Sequence, residues 1–310
     1  MSGPVSAADA PPAGQADTPA TCEMEVLEGR RAEVGGFGVR RVLPRRERRT
    51  VGAWCFVDHM GPGSVDDGHG LDIGPHPHIG LQTVTWLLDG AVLHRDSLGS
   101  EQVIRPGQLN LMTAGRGVSH AEETTGTHSG RLHGVQLWVA QPESTRHDAA
   151  AFEHHPELPS AELDNGVATV LIGGLGDARS PARRDTDHLG VDLDLRPGRT
   201  RVPLDPAFEH ALVVLEGAVA VGPHRLEPGH LGYLGVERAE VPIDAEESAR
   251  VLLIGGVPFP EPLLMWWNYV ARTREEVTEA HRAWTARGDR FGSVASPVPS
   301  IDAPGPPWAP

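Results

Sequence analysis

The chain has 310 residues, 39% of them hydrophobic, and a formal net charge of -15 at pH 7. This length is sufficient for two packed domains. The acidic charge disfavours nucleic acids and anionic membranes as partners, because their phosphate groups are repelled. No apolar run approaches the ~18 residues of a membrane span, and the N-terminus lacks the features of a secretory signal. The two cysteines form no spacing framework, so a cytoplasmic location is expected.

Short strands joined by tight turns dominate the sequence after a tail, residues 1–20, whose Ala/Pro/Gly/Asp-rich composition predicts disorder. Asp89-Gly90 is a strong two-residue hairpin signal, and Arg105-Pro106-Gly107-Gln108 marks a second turn. No helical period interrupts this region. The predicted strands are residues 80–88, 91–96, 109–112, 118–122 and 132–140. The pattern therefore predicts an all-β architecture.

A weak internal repeat relates the two halves of the chain. The letters WLLDGAV at residues 86–92 resemble VVLEGAV at 213–219, and RPGQL at 105–109 resembles EPGHL at 227–231. Two copies of one strand and turn pattern predict two related β-barrels. We expect an N-terminal metal-binding barrel at residues 21–144, a polar linker at 145–165 and a C-terminal barrel at 166–260.

One helix is predicted near the C-terminus, within a helical segment at residues 261–292. The letters TREE from Thr273 to Glu276 form a capping box, in which the Thr hydroxyl accepts from the Glu276 amide. Apolar residues at helical spacing follow, and Gly288 can end the helix. Residues 293–310 are Pro-rich and are expected to be extended, with the terminal tryptophan able to dock on the body.

Two pairs of polar residues carry the metal-binding signal. His76 and His78 are two residues apart, as are His120 and Glu122, so each pair shares one face of an extended strand. His-Pro-His alone also fits a surface turn. If the two strands converge, three imidazoles and a carboxylate suit a divalent ion such as Fe(II), Mn(II), Ni(II) or Zn(II), with coordination positions left open.

Gln82 is expected beside this site. It shares even numbering with His76, His78, Val84 and Trp86. If no bulge intervenes, all of these side chains face the same dry interior. Gln82 would then contact the metal ligands as a supporting amide.

The sequence resembles the pirin family of the cupin superfamily. The resemblance is carried by GPHPHIGLQTVTWLLDG, HRDSLGS, IRPGQLNLMTAGRGVSHAEE and HGVQLWV, and in the second half by WWNYVAR and RFGSV. It implies two tandem cupin barrels plus a C-terminal α-helix. It further implies one divalent metal, usually iron with Mn, Ni, Zn or Cu as alternatives, held by His76, His78, His120 and Glu122. Many pirins have FET where this chain has LQT, so Gln82 can alter acid–base behaviour or metal preference.

The second barrel is expected to be metal-free. Counting from its turn glycines, the positions equivalent to the four ligands are occupied by Pro203, Asp205, Pro242 and Asp244. No histidine cluster occurs there.

Three further histidine sites receive non-ligand interpretations. A structural hydrogen bond is expected for His94, which lies beside an arginine and an aspartate after the hairpin turn. Packing is expected for His133. His154 and His155 lie in the predicted linker and are expected to be exposed.

The resemblance implies functions from two classes. The first is an enzyme of the quercetin 2,3-dioxygenase type, which opens a flavonol-like substrate with dioxygen, with Glu122 as ligand and proton acceptor. The second is a metal- or redox-dependent regulatory protein that binds a transcription factor or metabolic enzyme. A purely structural metal is a third possibility. A cavity of roughly 300–1,000 Å³ at the metal would favour the enzyme. In each case we expect a monomer.

Overall fold

The computed structural model describes residues 24–65, 71–125 and 130–308. The tail predicted to be disordered, residues 1–20, lies outside these ranges. None of the helices described is long and apolar enough to cross a membrane.

Strands make up most of the described chain, as predicted. The first fourteen are β1 Glu25–Glu28, β2 Arg30–Val34, β3 Phe37–Leu43, β4 Trp54–Ser64, β5 Ile73–His78, β6 Leu81–Asp89, β7 Val92–Asp96, β8 Glu101–Ile104, β9 Leu109–Thr113, β10 Val118–Thr124, β11 Arg131–Ala140, β12 Ala151–His155, β13 Ser160–Leu163 and β14 Gly166–Ile172. The others are β15 Gly174–Leu175, β16 Ala178–Arg179, β17 His188–Leu195, β18 Gly198–Pro203, β19 Glu209–Glu216, β20 Val219–Val221, β21 His224–Leu226, β22 His230–Gly235, β23 Glu240–Ala245, β24 Ala249–Gly256, β25 Leu264–Trp266 and β26 Tyr269–Ala271.

The two halves of the chain share one topology. In the first half a seven-stranded sheet, β12-β9-β6-β11-β4-β3-β2, faces a four-stranded sheet, β5-β10-β7-β8. In the second half the orders are β1-β22-β19-β24-β17-β14-β13 and β18-β23-β20-β21. Position by position these are the same arrangement, so the prediction of two related barrels is confirmed.

Three edge strands, one in the first barrel and two in the second, lie outside the predicted boundaries of their barrels. β12, in the predicted linker at residues 145–165, pairs with β9 of the first barrel, and β13, in the same linker, pairs with β14 of the second. β1, at the start of the predicted first domain, pairs with β22 of the second barrel. β12 and β1 therefore occupy equivalent edges of the two large sheets and connect the halves.

A shared hydrophobic cluster joins the two large sheets. On β6 the side chains of Val84 and Trp86 face outward from the first barrel and pack in one cluster with Val213 and Leu215 of β19. Trp54 is buried in the same cluster, and its indole N–H donates to the Leu189 carbonyl of the second barrel at 3.0 Å. Each barrel also encloses its own core.

The predicted helix is confirmed as α1, Arg274–Thr285, with Thr273 as N-cap. The Thr273 hydroxyl accepts from the Glu276 amide at 3.2 Å, as the capping box predicts. The Glu276 carboxylate accepts instead from the Arg272 amide. The Pro-rich tail packs on the body, and the Trp308 ring lies edge-on to Trp266.

Candidate metal centre

Three histidines from two paired strands form the centre. β5 and β10 run antiparallel, with His76 opposite His120 and His78 opposite Val118. His76 and His78 share a face because they are two residues apart on one strand. One ring nitrogen from each of His76, His78 and His120 lies within 4.8 Å of the others, and all three side chains are buried. The Nε2 atoms of His78 and His120 are 3.0 Å apart.

Hydrogen bonds on the outer side of the rings fix the tautomers of His76 and His78. His76 Nδ1 lies 2.9 Å from the Gly74 carbonyl, and His78 Nδ1 lies 2.9 Å from the Asn268 carbonyl. A carbonyl only accepts, so both Nδ1 atoms carry the proton. Both Nε2 lone pairs therefore point into the centre, which is the usual arrangement of metal-binding imidazoles.

His120 is supported in the same way through a second histidine. The Asp96 carboxylate accepts from His94 Nε2 at 3.1 Å, which leaves His94 Nδ1 as an acceptor. His120 Nδ1 faces that atom at 3.4 Å and can donate to it. The structural hydrogen bond expected for His94 is thus present, and it also directs the His120 Nε2 lone pair inward.

The ionisation of these residues fits a metal site. Burial, together with the neighbouring imidazoles, lowers the pKa of His76 to about 3 and those of His78 and His120 well below the ordinary value. Neutral imidazoles are the form that binds metals. Three converging lone pairs repel one another unless a cation lies between them. The residues present therefore fit a divalent ion.

Glu122 lies in the wall of the same cavity and is buried. Burial raises the pKa of its carboxyl. It is not a member of the tight histidine cluster. The register with β5 slips between His120 and Glu122, so that Glu122 lies opposite Ile73. The structure therefore brings together three of the four predicted ligands and places the fourth beside them.

The expectation for Gln82 is corrected. Gly80 has a φ of 66° and separates β5 from β6, which belong to different sheets. The even numbering shared by the histidines and Gln82 therefore does not place them on one face. Gln82 lies opposite Val139 and on the same face as Val84, which packs between the barrels. Its amide donates to Thr113 Oγ1 at 3.0 Å rather than to a ligand.

The cavity at the histidines has a volume of about 40 Å³. Its aromatic wall consists of Phe56 and Trp138, which stack with centroids 4.1 Å apart, and Trp138 meets His78 edge-on. Asp58 also lines it and is held by two hydrogen bonds from Arg41, at 2.8 and 2.7 Å. Sequence reasoning missed Asp58. It also missed the role of the Asn268 carbonyl, which lies in the motif WWNYVAR.

The second barrel has different residues at the equivalent strands. A cavity of about 630 Å³ lies there, and Pro203 and Asp205 line it. Pro242 lies on β23 opposite Arg201, and Asp244 pairs with Arg199 at the surface. Within the described residues, the first-barrel histidines form the one group of three potential ligands.

Other proteins resemble this chain along most of its length. The family profile of Pirin matches residues 36–139, and that of the Pirin C-terminal cupin domain matches 190–292. A Pseudomonas aeruginosa protein provisionally named a quercetin 2,3-dioxygenase is 45% identical over 92% of this chain and 91% of its own length. Human pirin is 30% identical over 83% of this chain and 89% of its own.

Solved structures agree with these relationships. A crystal structure of quercetin 2,3-dioxygenase from Acinetobacter baumannii is 44% identical and superimposes with a TM-score of 0.89 over 92% of this chain and 96% of that one. The expected pair of tandem cupin barrels is thereby confirmed. This chain belongs to the pirin family.

Proposed function

We propose that the chain binds one divalent metal through His76, His78, His120 and Glu122 and acts as an oxygenase of the quercetin 2,3-dioxygenase type. Its substrates would be a flavonol-like phenol and dioxygen. The observation that carries the proposal is the convergence of three neutral, buried imidazoles with inward lone pairs. The names of relatives at 45% and 44% identity support the reaction type. Iron(II) is the proposed ion, with Mn, Ni, Zn or Cu as alternatives.

The residues of the cavity suit this reaction. When bound, the metal would supply a Lewis acid that binds a phenolate oxygen and activates dioxygen. The Glu122 carboxyl, whose pKa is raised by burial, can accept the proton of the substrate hydroxyl and hold it away from water. The stacked rings of Phe56 and Trp138 offer a flat wall for an aromatic substrate.

The size of the cavity favours a second candidate function. A volume of about 40 Å³ is far below the roughly 300–1,000 Å³ of sites for ligands of flavonol size. For an enzyme, part of the wall around Val34 and Leu71 must move to admit substrate. A regulatory protein that binds a transcription factor or metabolic enzyme needs no such access. A metal with a structural role alone needs none either.

The test combines metal analysis with turnover. The protein is purified anaerobically, its metal is measured by elemental analysis, and the iron-loaded form is assayed in air for loss of quercetin and release of carbon monoxide. His120→Ala and Glu122→Gln are expected to lose turnover, and His120→Ala to lose most of the metal. His154→Ala is the matched control, since His154 bonds Asn110 outside the centre. Stoichiometric metal without turnover would favour the regulatory function, and absence of metal would refute the site.

We also propose a monomer located in the cytoplasm. The one cysteine within the described residues, Cys55, is a buried free thiol, and burial raises its pKa to about 12. Such a thiol is unreactive and is compatible with a reducing compartment. Gel filtration with light scattering tests the monomer, and a mass near twice 33.1 kDa would contradict it.

A further inference from the structure

A row of three nitrogen-bearing side chains crosses the outer face of the first barrel. Arg31 of β2 lies directly opposite Arg40 of β3, and Arg40 lies directly opposite His59 of β4. Residues that are directly opposite each other in a sheet point to the same side. The neighbours of His59 on β4, Asp58 and Met60, point to the other side and line the metal cavity. The row therefore lies behind the metal centre.

The row lines a cleft of about 590 Å³ at the junction of the two barrels. Ser64 and Pro228 contribute to its walls, and its lining contains no aspartate or glutamate. Among the described residues neither Arg31 nor Arg40 forms an ion pair, although the chain carries a net charge of -15. Like charges directly opposite each other on neighbouring strands are destabilising. An anion bound between the two guanidinium groups would relieve this repulsion.

Arg40 is already positioned for such a role. Its Nη1 donates to the Pro228 carbonyl of the second barrel at 3.2 Å. The aliphatic part of its side chain crosses Gly229, where a Cβ would lie 2.4 Å from Arg40 Cδ. The remaining N–H groups of the fixed guanidinium stay available as donors.

The third member of the row has a defined tautomer because of a chain of hydrogen bonds. The exposed Glu216 carboxylate accepts from His133 Nδ1 at 3.0 Å. His133 Nε2 is then an acceptor, and it receives the proton of His59 Nε2 at 2.9 Å. His59 Nδ1 is consequently left with a lone pair. That nitrogen is buried and has no partner in the described part of the chain, and the residue itself lines the cleft.

Both imidazoles of this chain remain neutral at physiological pH. Burial, with smaller contributions from the neighbouring His133 and Arg40, lowers the pKa of His59 to about 3. Burial also lowers the pKa of His133. His59 Nδ1 is thus a hydrogen-bond acceptor at the end of a row that contains two cationic donors. A ligand that satisfies all three must carry both a negative charge and a hydroxyl proton.

We propose that the cleft binds inorganic phosphate in a protonated form. Arg31 and Arg40 bind its charged oxygens, and His59 Nδ1 accepts its P–OH proton. Inorganic phosphate near pH 7 always retains a proton, whereas sulfate has none to donate and a phosphate monoester, whose second pKa is about 6, has mostly lost its proton. The site is thereby selective for phosphate over sulfate. This inference is independent of the proposed oxygenase function.

The first test is calorimetric titration of the full-length protein at pH 7 with inorganic phosphate, with glycerol 3-phosphate and with sulfate at matched ionic strength. We expect saturable binding of one phosphate group per chain, and binding of sulfate weaker by about tenfold or more, because an acceptor would face an oxygen without a proton. Glycerol 3-phosphate, which is mostly without a P–OH proton at pH 7, should bind more weakly than inorganic phosphate. Failure of inorganic phosphate to bind, or an equal affinity for sulfate, would overturn the proposal.

Variants separate the charge contribution from the tautomer contribution. Arg31→Gln and Arg40→Gln should each raise the Kd for phosphate about tenfold, since each removes a charged donor. Arg30→Gln is the matched control: it removes the same charge from the neighbouring position, whose side chain points to the other face. If Arg30→Gln lost as much affinity for phosphate as Arg31→Gln, only the net charge would matter and the site would be refuted.

Glu216→Ala tests the hydrogen-bond chain without disturbing the buried histidines. It removes the acceptor of His133 Nδ1, so the tautomer of His59 is no longer fixed. We expect the ratio of the Kd for sulfate to the Kd for phosphate to fall severalfold. A purely structural role for Glu216 would leave this ratio unchanged. An unchanged ratio in a folded Glu216→Ala protein would overturn the assignment of His59.

Discussion

His78 donates from Nδ1 to the main-chain carbonyl of Asn268, which lies 190 residues further along the chain, at 2.9 Å. Asn268 lies in the turn between β25 and β26, and Tyr269 of that hairpin is fully buried against the helix and Ile79. The C-terminal segment therefore orients a predicted metal ligand of the first barrel. The packing of Tyr269 should consequently influence metal affinity at a distance.

Tyr269→Ala should weaken the metal centre. Removing a buried aromatic costs about 3–5 kcal/mol of stability. Displacement of the Asn268 carbonyl should lower metal affinity by about 10–100-fold, the usual effect of losing a ligand's outer hydrogen bond. Chelator competition measures the affinity, and urea unfolding measures the stability.

Tyr269→Phe is the matched variant with the opposite expectation. The Tyr269 hydroxyl is buried and has no hydrogen-bond partner within the described residues. Its removal should leave metal affinity unchanged and raise the free energy of unfolding by up to about 1 kcal/mol, because an unsatisfied polar group is lost. Equal metal loss in both variants would show that the ring packing does not position Asn268.

The C-terminal tail makes a second connection to the centre, at Gly74. A Cβ on Gly74 would lie 1.9 Å from the Pro299 carbonyl oxygen, and Ile301 donates its amide to the Pro75 carbonyl. Gly74→Ala should therefore displace the tail and also disturb the carbonyl that fixes His76. We expect faster proteolysis beyond residue 293 and weaker metal binding.

Gly38→Ala provides the control for this substitution. Gly38 lies on β3 of the same barrel, and a Cβ there meets nothing within 4 Å. Its proteolysis pattern and metal affinity should equal those of the unmodified protein. If Gly74→Ala behaves like Gly38→Ala, then the tail does not constrain β5.

The buried ion pair beside the metal cavity should stabilise the first barrel only as a pair. Arg41 and Asp58 are 2% and 3% exposed and form two hydrogen bonds. Asp58→Leu removes the carboxylate that pairs with a buried guanidinium and should cost about 3–5 kcal/mol. The double variant Arg41→Met/Asp58→Leu should cost less than either single change, Arg41→Met or Asp58→Leu. Urea unfolding of the unmodified protein, the two single variants and the double variant gives a double-mutant cycle. Additive losses in the free energy of unfolding would contradict the coupling between Arg41 and Asp58.

Local sequence patterns were sufficient for much of this structure. The predicted strand at 80–88 corresponds to β6, and the capping box at Thr273 begins the helix. Both depend on interactions between near neighbours, which alternation and spacing encode. The two His-containing pairs were also found in this way, because two-residue spacing places side chains on one face.

The errors and omissions arose where distant segments meet. Gly80 adopts a positive φ between β5 and β6. Glycine is required there because a Cβ would lie 2.2 Å from the Val270 carbonyl oxygen. No local pattern shows that contact, so Gln82 was placed on the wrong face. The exchange of β1 and β12 between barrels and the support of His78 by Asn268 likewise depend on tertiary contacts that alternation does not encode.

Stability should fall at acidic pH because of His188, a fully buried residue at the junction of the barrels whose ring meets Trp54 edge-on. Burial lowers the pKa of His188 from 6.5 to about 4. Between these values the unfolded chain binds a proton that the folded chain excludes, so the free energy of unfolding decreases as pH falls from about 6.5 to 4. A difference of 2.5 pKa units corresponds to about 3 kcal/mol.

The contribution of His188 can be isolated by comparing two proteins across the same pH range. Urea unfolding of the unmodified protein and of His188→Gln at pH 7 and pH 4.5 gives four free energies of unfolding. Because glutamine does not titrate, the loss between the two pH values should be smaller in the variant by about 2–3 kcal/mol. Other buried groups affect both proteins alike and cancel in the difference. Equal losses would mean that His188 is protonated in the folded state at pH 4.5, and that the junction of the barrels accommodates its charge.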